Sequence, residues 1–286
     1  MNSRLRNAVI DDICVKDLIL YDEENIDHLS KFCFRNSISF IPAPDRKSVY
    51  ELTSDGFMHR ALNFDYCLRP DEPLFADSTI SKFEKVDQNE IRFVVTDGLI
   101  TGVVHIVDYN NEFVAVELYR SFFRFENSIR NLLMRRGFTN DNFIKWVRTN
   151  RDCEITHPLN DRSYWRDKYD TLMPADPYYL SRAEHNRRMV YPFQTFYFSD
   201  ILQFAFENQL LDKGIFQPKV LKSLRNFMAH NRHFVSVTET EDGQLIYDFD
   251  HLKIFVKNMN IFFDASDELE KRLKQAEELI KKSKFL

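Results

Sequence analysis

The stretch Lys219–Phe234, KVLKSLRNFMAHNRHF, decides how the rest of the chain is read. At roughly 100° per residue its faces separate on a helix. Val220, Leu221, Leu224, Phe227 and Met228 fall within an arc of roughly 120°, the width of a core-facing stripe. Lys222, Arg225, Asn226, Ala229, His230 and His233 take the opposite face. Pro218 stands where a helix begins, because its ring presets a helical φ and the first turn needs no N–H there. Ala229, the smallest residue of the polar face, lies between Arg225 and His230 and leaves space for a backbone or a phosphate.

These residue types suit phosphodiester chemistry on RNA. An imidazole titrating near neutral pH takes a proton from an attacking hydroxyl or gives one to a leaving oxygen. A guanidinium is always charged and offers a planar fork to phosphate oxygens. A carboxamide orients the imidazole or meets the same phosphate. No metal enters this set. On residue types alone the alternative is an amphipathic helix with a solvated polar face.

The run Arg225-Asn226-Phe227-Met228-Ala229-His230 resembles the signature of the HEPN superfamily, an Arg, commonly followed by Asn, and a His a few residues on. LYRSFFRFENSIRNLL (Leu118–Leu133) is similar to the first helix of that superfamily, and FYFSDILQFAFENQLL (Phe196–Leu211) to a central one. The resemblance implies a homodimer in which two motif helices face each other across a composite, metal-independent ribonuclease site. It implies Arg225 as phosphate clamp, His230 as general acid or base and Asn226 as orienting group. Glu126, on the first helix, and His233, further along the polar face, are supporting positions. For Glu126 the alternative role is an ion pair within its own helix with Arg130, four residues on.

A length of 286 residues allows two domains, and 44% hydrophobic with 29% charged content is that of a soluble globular chain. The net charge of −5 excludes a protein coated in basic residues for general nucleic-acid binding, leaving room for a local groove. Cys14, Cys33, Cys67 and Cys153 are scattered without zinc spacing and read as reduced thiols. No apolar run approaches a membrane span and MNSRLRNAVIDDI has no secretory h-region, so the expected location is the cytoplasm, with no membrane partner.

Before about residue 115 short β-rich and helical runs alternate. IRFVVTDGLITGVVHIVDY reads as a hairpin around Asp97-Gly98, preceded by a short helix with Ile80 and Phe83 inward. This order resembles a CBS repeat, whose closing Gly-h-h-x-x-x-Asp element matches Gly102 to Asp108. His105 stands where that family usually carries Ser or Thr, so the resemblance implies His105 and Asp108 as contacts to an adenine nucleotide. The alternative for Asp108 is a strand-end cap. An earlier copy runs from about Val15 to Leu62, with KDLILYDEENIDHLSKFCF as leading strand and helix and ISFIPAPDRKSVYELTSDGF as a degraded hairpin. Such a pair acts either as a nucleotide sensor or as a scaffold for dimer geometry.

Phe122, Phe125, Ile129, Leu132 and Leu133 carry helical spacing, Gly137 stops that helix, and Thr139 caps a short one, DNFIKWVRTN. From 151 to about 192 the chain is rich in Pro and aromatics, with helices expected at SYWRDKYDTL and Ser181–Val190. Arg182, Arg187 and Arg188, with Trp165, Tyr169, Tyr178 and Tyr179, form either an RNA-stacking surface or a solvated helix. After the motif, VSVTETEDGQLIYDF reads as a small hairpin at Asp242-Gly243, followed by one or two long helices.

The expected class is therefore α+β: an N-terminal α/β CBS-like pair over residues 1–115, regulatory or dimerising, then an all-α HEPN-like helical bundle over 116–286 with an insertion at about 151–192. The expected activity is endoribonucleolytic, leaving a 2′,3′-cyclic phosphate, with an adenine nucleotide as regulator and no cofactor for catalysis. Such an architecture suits a toxin or anti-phage effector. The alternative is a non-catalytic nucleotide-sensing or RNA-binding regulatory protein.

Overall fold

The computed structural model describes residues 4–36, 38–84, 91–156, 163–229, 233–235, 237–239 and 245–283. It is a mixed α+β structure. In chain order the elements are α1 (Ile26–Arg35), β1 (Phe40–Pro42), β2 (Ser48–Thr53), β3 (Gly56–Ala61), α2 (Asp77–Glu84), β4 (Ile91–Thr96) and β5 (Leu99–His105). Then come α3 (Glu112–Arg135), α4 (Asn140–Thr156), α5 (Tyr164–Leu172), α6 (Pro177–Met189), α7 (Phe198–Glu207), α8 (Lys213–Phe216) and α9 (Pro218–Ala229). The chain closes with β6 (Val237–Glu239), β7 (Leu245–Tyr247) and α10 (Phe249–Ser283). Two compact units result: Asn2–Tyr119 with Phe227–Asn260, and Arg120–Asn226 with Ile261–Leu286.

In the first unit, β4 and β5 pair antiparallel around Asp97 (φ 52°) and Gly98 (φ 76°), the two positive φ values that a tight hairpin turn with native twist demands. Single residues extend the ladder on both edges. Leu68 pairs in parallel with Val94, and Val15 exchanges bonds of 2.9 and 3.0 Å with Val103. That second approach explains Gly102: a Cβ there would lie 2.1 Å from Cys14 Sγ and 3.0 Å from Val15 O.

The expected hairpin at residues 38–57 is instead a three-stranded meander, β1-β2-β3, with every neighbour antiparallel. β3, GFMHRA, is exposed or half-exposed along its whole length, so it lacks the alternating apolar signal by which a strand is read. Among the described residues KDLIL, expected as a leading strand, forms no strand, the bridge at Val15 lying just before it, whereas α1 forms as expected. Leu29, Cys33 and Ile41 make a small core here, with Tyr21 and Tyr50 stacked at 3.6 Å beside it. A second core surrounds Tyr109, fully buried, whose hydroxyl donates to Leu74 O at 2.9 Å while Phe75 and Phe83 pack edge-on to its ring.

The second unit is helical around aromatic residues. Phe122 stacks on Phe262 at 5.3 Å, and Phe125 meets Phe198, Phe216 and Phe262. α3 ends as its sequence predicts: Gly137 takes φ 81°, its N–H bonds Met134 O, and Phe138 N–H reaches back to Leu133 O. Thr139 and Asn142 cap α4 reciprocally, backbone to side chain, at 2.8 and 3.4 Å. α4 runs on to Thr156, past the polar run at which its sequence suggested a stop. Both helices expected between 151 and 192 form, as α5 and α6, and neither contains a buried residue. The small C-terminal hairpin is present as β6 and β7, while its Asp242-Gly243 turn lies outside the described residues. The long final segment is one helix, and no helix among the described residues is long and apolar enough to cross a membrane.

Candidate functional site

The motif helix is set by a break in the chain before it. Gln217 adopts a left-handed conformation (φ 37°) that ends α8, and its carbonyl accepts from Val220 and Leu221 as α9 starts at Pro218. Leu221 and Leu224 are buried, and Val220, Phe227 and Met228 are half-buried, so the apolar stripe faces inward as its spacing predicts. Arg225, Asn226 and Ala229 are exposed, and Lys222 is half-buried. His230 lies outside the described residues. His233 is exposed, in the segment after the helix.

Arg225 and Glu126 come together. Arg225 Nε is 3.7 Å from Glu126 Oε1, while Glu126 Oε2 accepts from Arg130 at 3.4 and 3.5 Å. Arg130 is buried and its Nε donates to Phe193 O, which anchors the pair to the core. One carboxylate thus lies between two guanidinium groups, so the cluster keeps a net positive charge. The buried arginine holds Glu126 in place, and the Arg225 side chain stays 44% exposed. Each arginine thus meets one of the two Glu126 oxygens.

His105 and Asp108 sit elsewhere, closing the end of β5. His105 Nδ1 accepts from Val107 N–H at 3.0 Å, and Asp108 Oδ2 accepts from His105 N–H at 2.7 Å. An imidazole nitrogen that accepts is unprotonated, and burial pushes the His105 pKa down to about 4. Burial raises the Asp108 carboxyl, partly offset by the bond from His105 N–H. Both side chains serve the strand end, the capping role considered for Asp108 from the sequence.

The three arginines of α6 are used differently. Arg187 Nη1 donates to Leu172 O at 2.7 Å and is partly desolvated, which lowers its pKa. Arg188 stands 3.7 Å from Glu184, and Arg182 is exposed. Tyr178 and Tyr179 at the start of α6 are 69% and 57% exposed, which leaves their rings available for stacking.

One cluster escaped the sequence reading. Lys168 of α5 pairs with Asp200 of α7, and their side chains are only 9% and 4% exposed. Tyr164 donates its hydroxyl to the same carboxylate, and Lys168 Nζ sits 5.4 and 4.9 Å from the ring centres of Tyr164 and Tyr197. Its available signal was Asp200 itself, a carboxylate inside the apolar run FYFSDILQF.

Compared with known proteins, the chain matches no family model, no curated protein and no solved structure.

Proposed function

We propose that the chain is a metal-independent endoribonuclease working as a homodimer, with Arg225, Asn226 and His230 as its catalytic set. The single observation that carries this reading is the motif Arg-Asn exposed on α9, with Arg225 braced by Glu126 and still open to an anion. Arg225 neutralises charge on the phosphorane-like transition state, where an electrostatic donor matters most. His230 takes the 2′-hydroxyl proton or returns one to the departing 5′-oxygen; the O2′–P bond forms, the P–O5′ bond breaks, and a 2′,3′-cyclic phosphate remains. Asn226 orients the imidazole or the phosphate.

The N-terminal unit acts as a regulator through an adenine nucleotide. A nucleotide contacting His105 and Asp108 has to displace two hydrogen bonds to backbone, so its binding would loosen the end of β5. Addition of ATP or AMP to the cleavage reaction tests this gate.

The experiment is cleavage of total tRNA and rRNA in EDTA by wild type, Arg225→Ala and His230→Ala. Wild type should cut and leave cyclic phosphate ends. Each variant should lose about a hundredfold or more, the usual cost of removing a proton-transfer group or a transition-state donor. An inert wild type, or variants that cut equally well, overturns the catalytic reading. The second reading, a non-catalytic RNA-binding regulator, is favoured by the same Arg225–Glu126 pair, which also fits a packing role. It predicts RNA binding without cleavage.

A further inference from the structure

We propose that a pocket on α5 binds a guanine base, an inference that rests on the RNA reading above and names a feature of its substrate. Tyr164, Asp167, Lys168 and Thr171 recur at i, i+3, i+4 and i+7, one face of α5. With Thr195 and Tyr197, from the segment leading into α7, they line a pocket of about 290 Å³, at the small end of ligand sites and suited to one base.

The chemistry of the lining selects the ligand. Its lysine is already neutralised by the buried Asp200, so the pocket offers no free cation for phosphate. Two tyrosine rings supply flat apolar surface, as a splayed-out base requires. Tyr197 is 74% exposed and Tyr164 47%, so both can be covered by a ligand. Asp167 is an acceptor: Ser163 donates to its Oδ2 at 2.7 Å, and among the described residues Oδ1 and the second lone pair of Oδ2 remain for a ligand. A carboxylate accepts and never donates when ionised. Among the four RNA bases guanine alone presents two adjacent N–H donors, N1–H and the 2-amino group, on its pairing edge. The hydroxyl of Thr195 is placed to donate to one of its remaining acceptors, whereas Thr171 already donates to Asp167 O at 2.8 Å.

The wall is also held in shape before a ligand arrives. Tyr164 is fixed through its hydroxyl to Asp200, and Glu154 of α4 accepts from the backbone N–H groups of Trp165 and Arg166 at 2.9 and 3.3 Å, locking the start of α5. A buried ion pair is weak evidence of stabilisation in itself. Here Asp200 anchors the Tyr164 ring, and Lys168 sits 4.9 Å from the centre of the Tyr197 ring.

Isothermal titration calorimetry of the full chain with GMP, IMP and AMP tests the assignment. IMP lacks only the 2-amino group. GMP should bind about tenfold more tightly than either, the scale expected when one hydrogen bond is lost. Asp167→Asn should erase that preference, and Tyr197→Ala should weaken GMP about tenfold by removing a stacking face. Both side chains are exposed, and unchanged circular-dichroism melts would show that the variants fold. Equal binding of the three nucleotides, no binding, or a preference that survives Asp167→Asn overturns the proposal. A short single-stranded RNA with one G, beside the same strand with A, separates the sources. A tighter G strand than GMP assigns the pocket to RNA, and equal affinities assign it to a free nucleotide. His230→Ala should still bind GMP. Guanine binding without cleavage therefore sinks the nuclease reading alone, and cleavage without guanine preference sinks the pocket alone.

Discussion

His105 shows what a single residue contributes when its ring is buried against its own backbone. The folded protein holds it neutral, with a pKa near 4 against an ordinary value of 6.5. Between those values the unfolded chain binds the proton that the folded one refuses, so the contribution to stability is fully present above pH 6.5 and falls as pH drops toward 4. Asp108 works in the opposite sense, because its raised folded pKa favours the folded state where the carboxyl is protonated. Comparing wild type with His105→Asn isolates the imidazole, since an amide oxygen also caps Val107 N–H and does not titrate. Melting temperature should fall between pH 6.5 and 4 more steeply in wild type than in His105→Asn. Parallel curves would rule this account out. The residue types of the motif were legible in the sequence, and the arrangement of Glu126 between Arg130 and Arg225 was not. Spacing within α3 predicted the Arg130 contact, whereas the Arg225 contact depends on where the fold brings α9 to α3.

Among the elements, the β4–β5 hairpin is where sequence and structure agree most closely. Asp97-Gly98 between β-branched runs specified a turn with two positive φ values, and the register follows from it for Thr96–Leu99 and Val95–Ile100, before a bulge shifts it at Val94–Gly102. The third strand of the meander was not visible, because β3 carries no alternation between buried and exposed side chains. The role of Gly102 also emerged only in space, because Cys14 and Val15 are distant in sequence from β5. Gly102→Ala should destabilise the protein by about 1–3 kcal/mol, the usual cost of overpacking. Cys14→Ala in the same chain should recover part of that loss by removing the sulfur from the 2.1 Å clash, while Val15 O at 3.0 Å keeps recovery incomplete. Thermal melts of the single and double variants check this, and an unshifted Gly102→Ala would show that the edge segment yields freely.

For the whole molecule, the proposed site is complete only when two copies meet. Cleavage per protomer should therefore fall on dilution through the range where size-exclusion chromatography with light scattering shows dimer giving way to monomer. Activity that stays constant per protomer in a monomeric sample would place the whole site within one chain. Under the proposed function the net charge of −5 adds a requirement: an RNA substrate would have to be captured by local features such as Arg225 and the exposed Tyr178 and Tyr179, because the overall field repels it.

Local patterns in the sequence determined the mixed α+β class, the tight hairpin turn, the stop at Gly137, the caps and the amphipathic faces of α3 and α9. Each depends on residues within a few positions of one another, where backbone sterics and helical or strand periodicity act directly. Tertiary structure alone decided the third strand of the meander, the need for glycine at 102, the sharing of Glu126 and the enclosure of Lys168 by Asp200 and two tyrosines. The last three join segments from 32 to 99 positions apart, and contact across such distances is set by which faces pack together rather than by any spacing along the chain; β3 pairs with β2 only 3 to 13 positions away and was hidden by its exposed side chains instead.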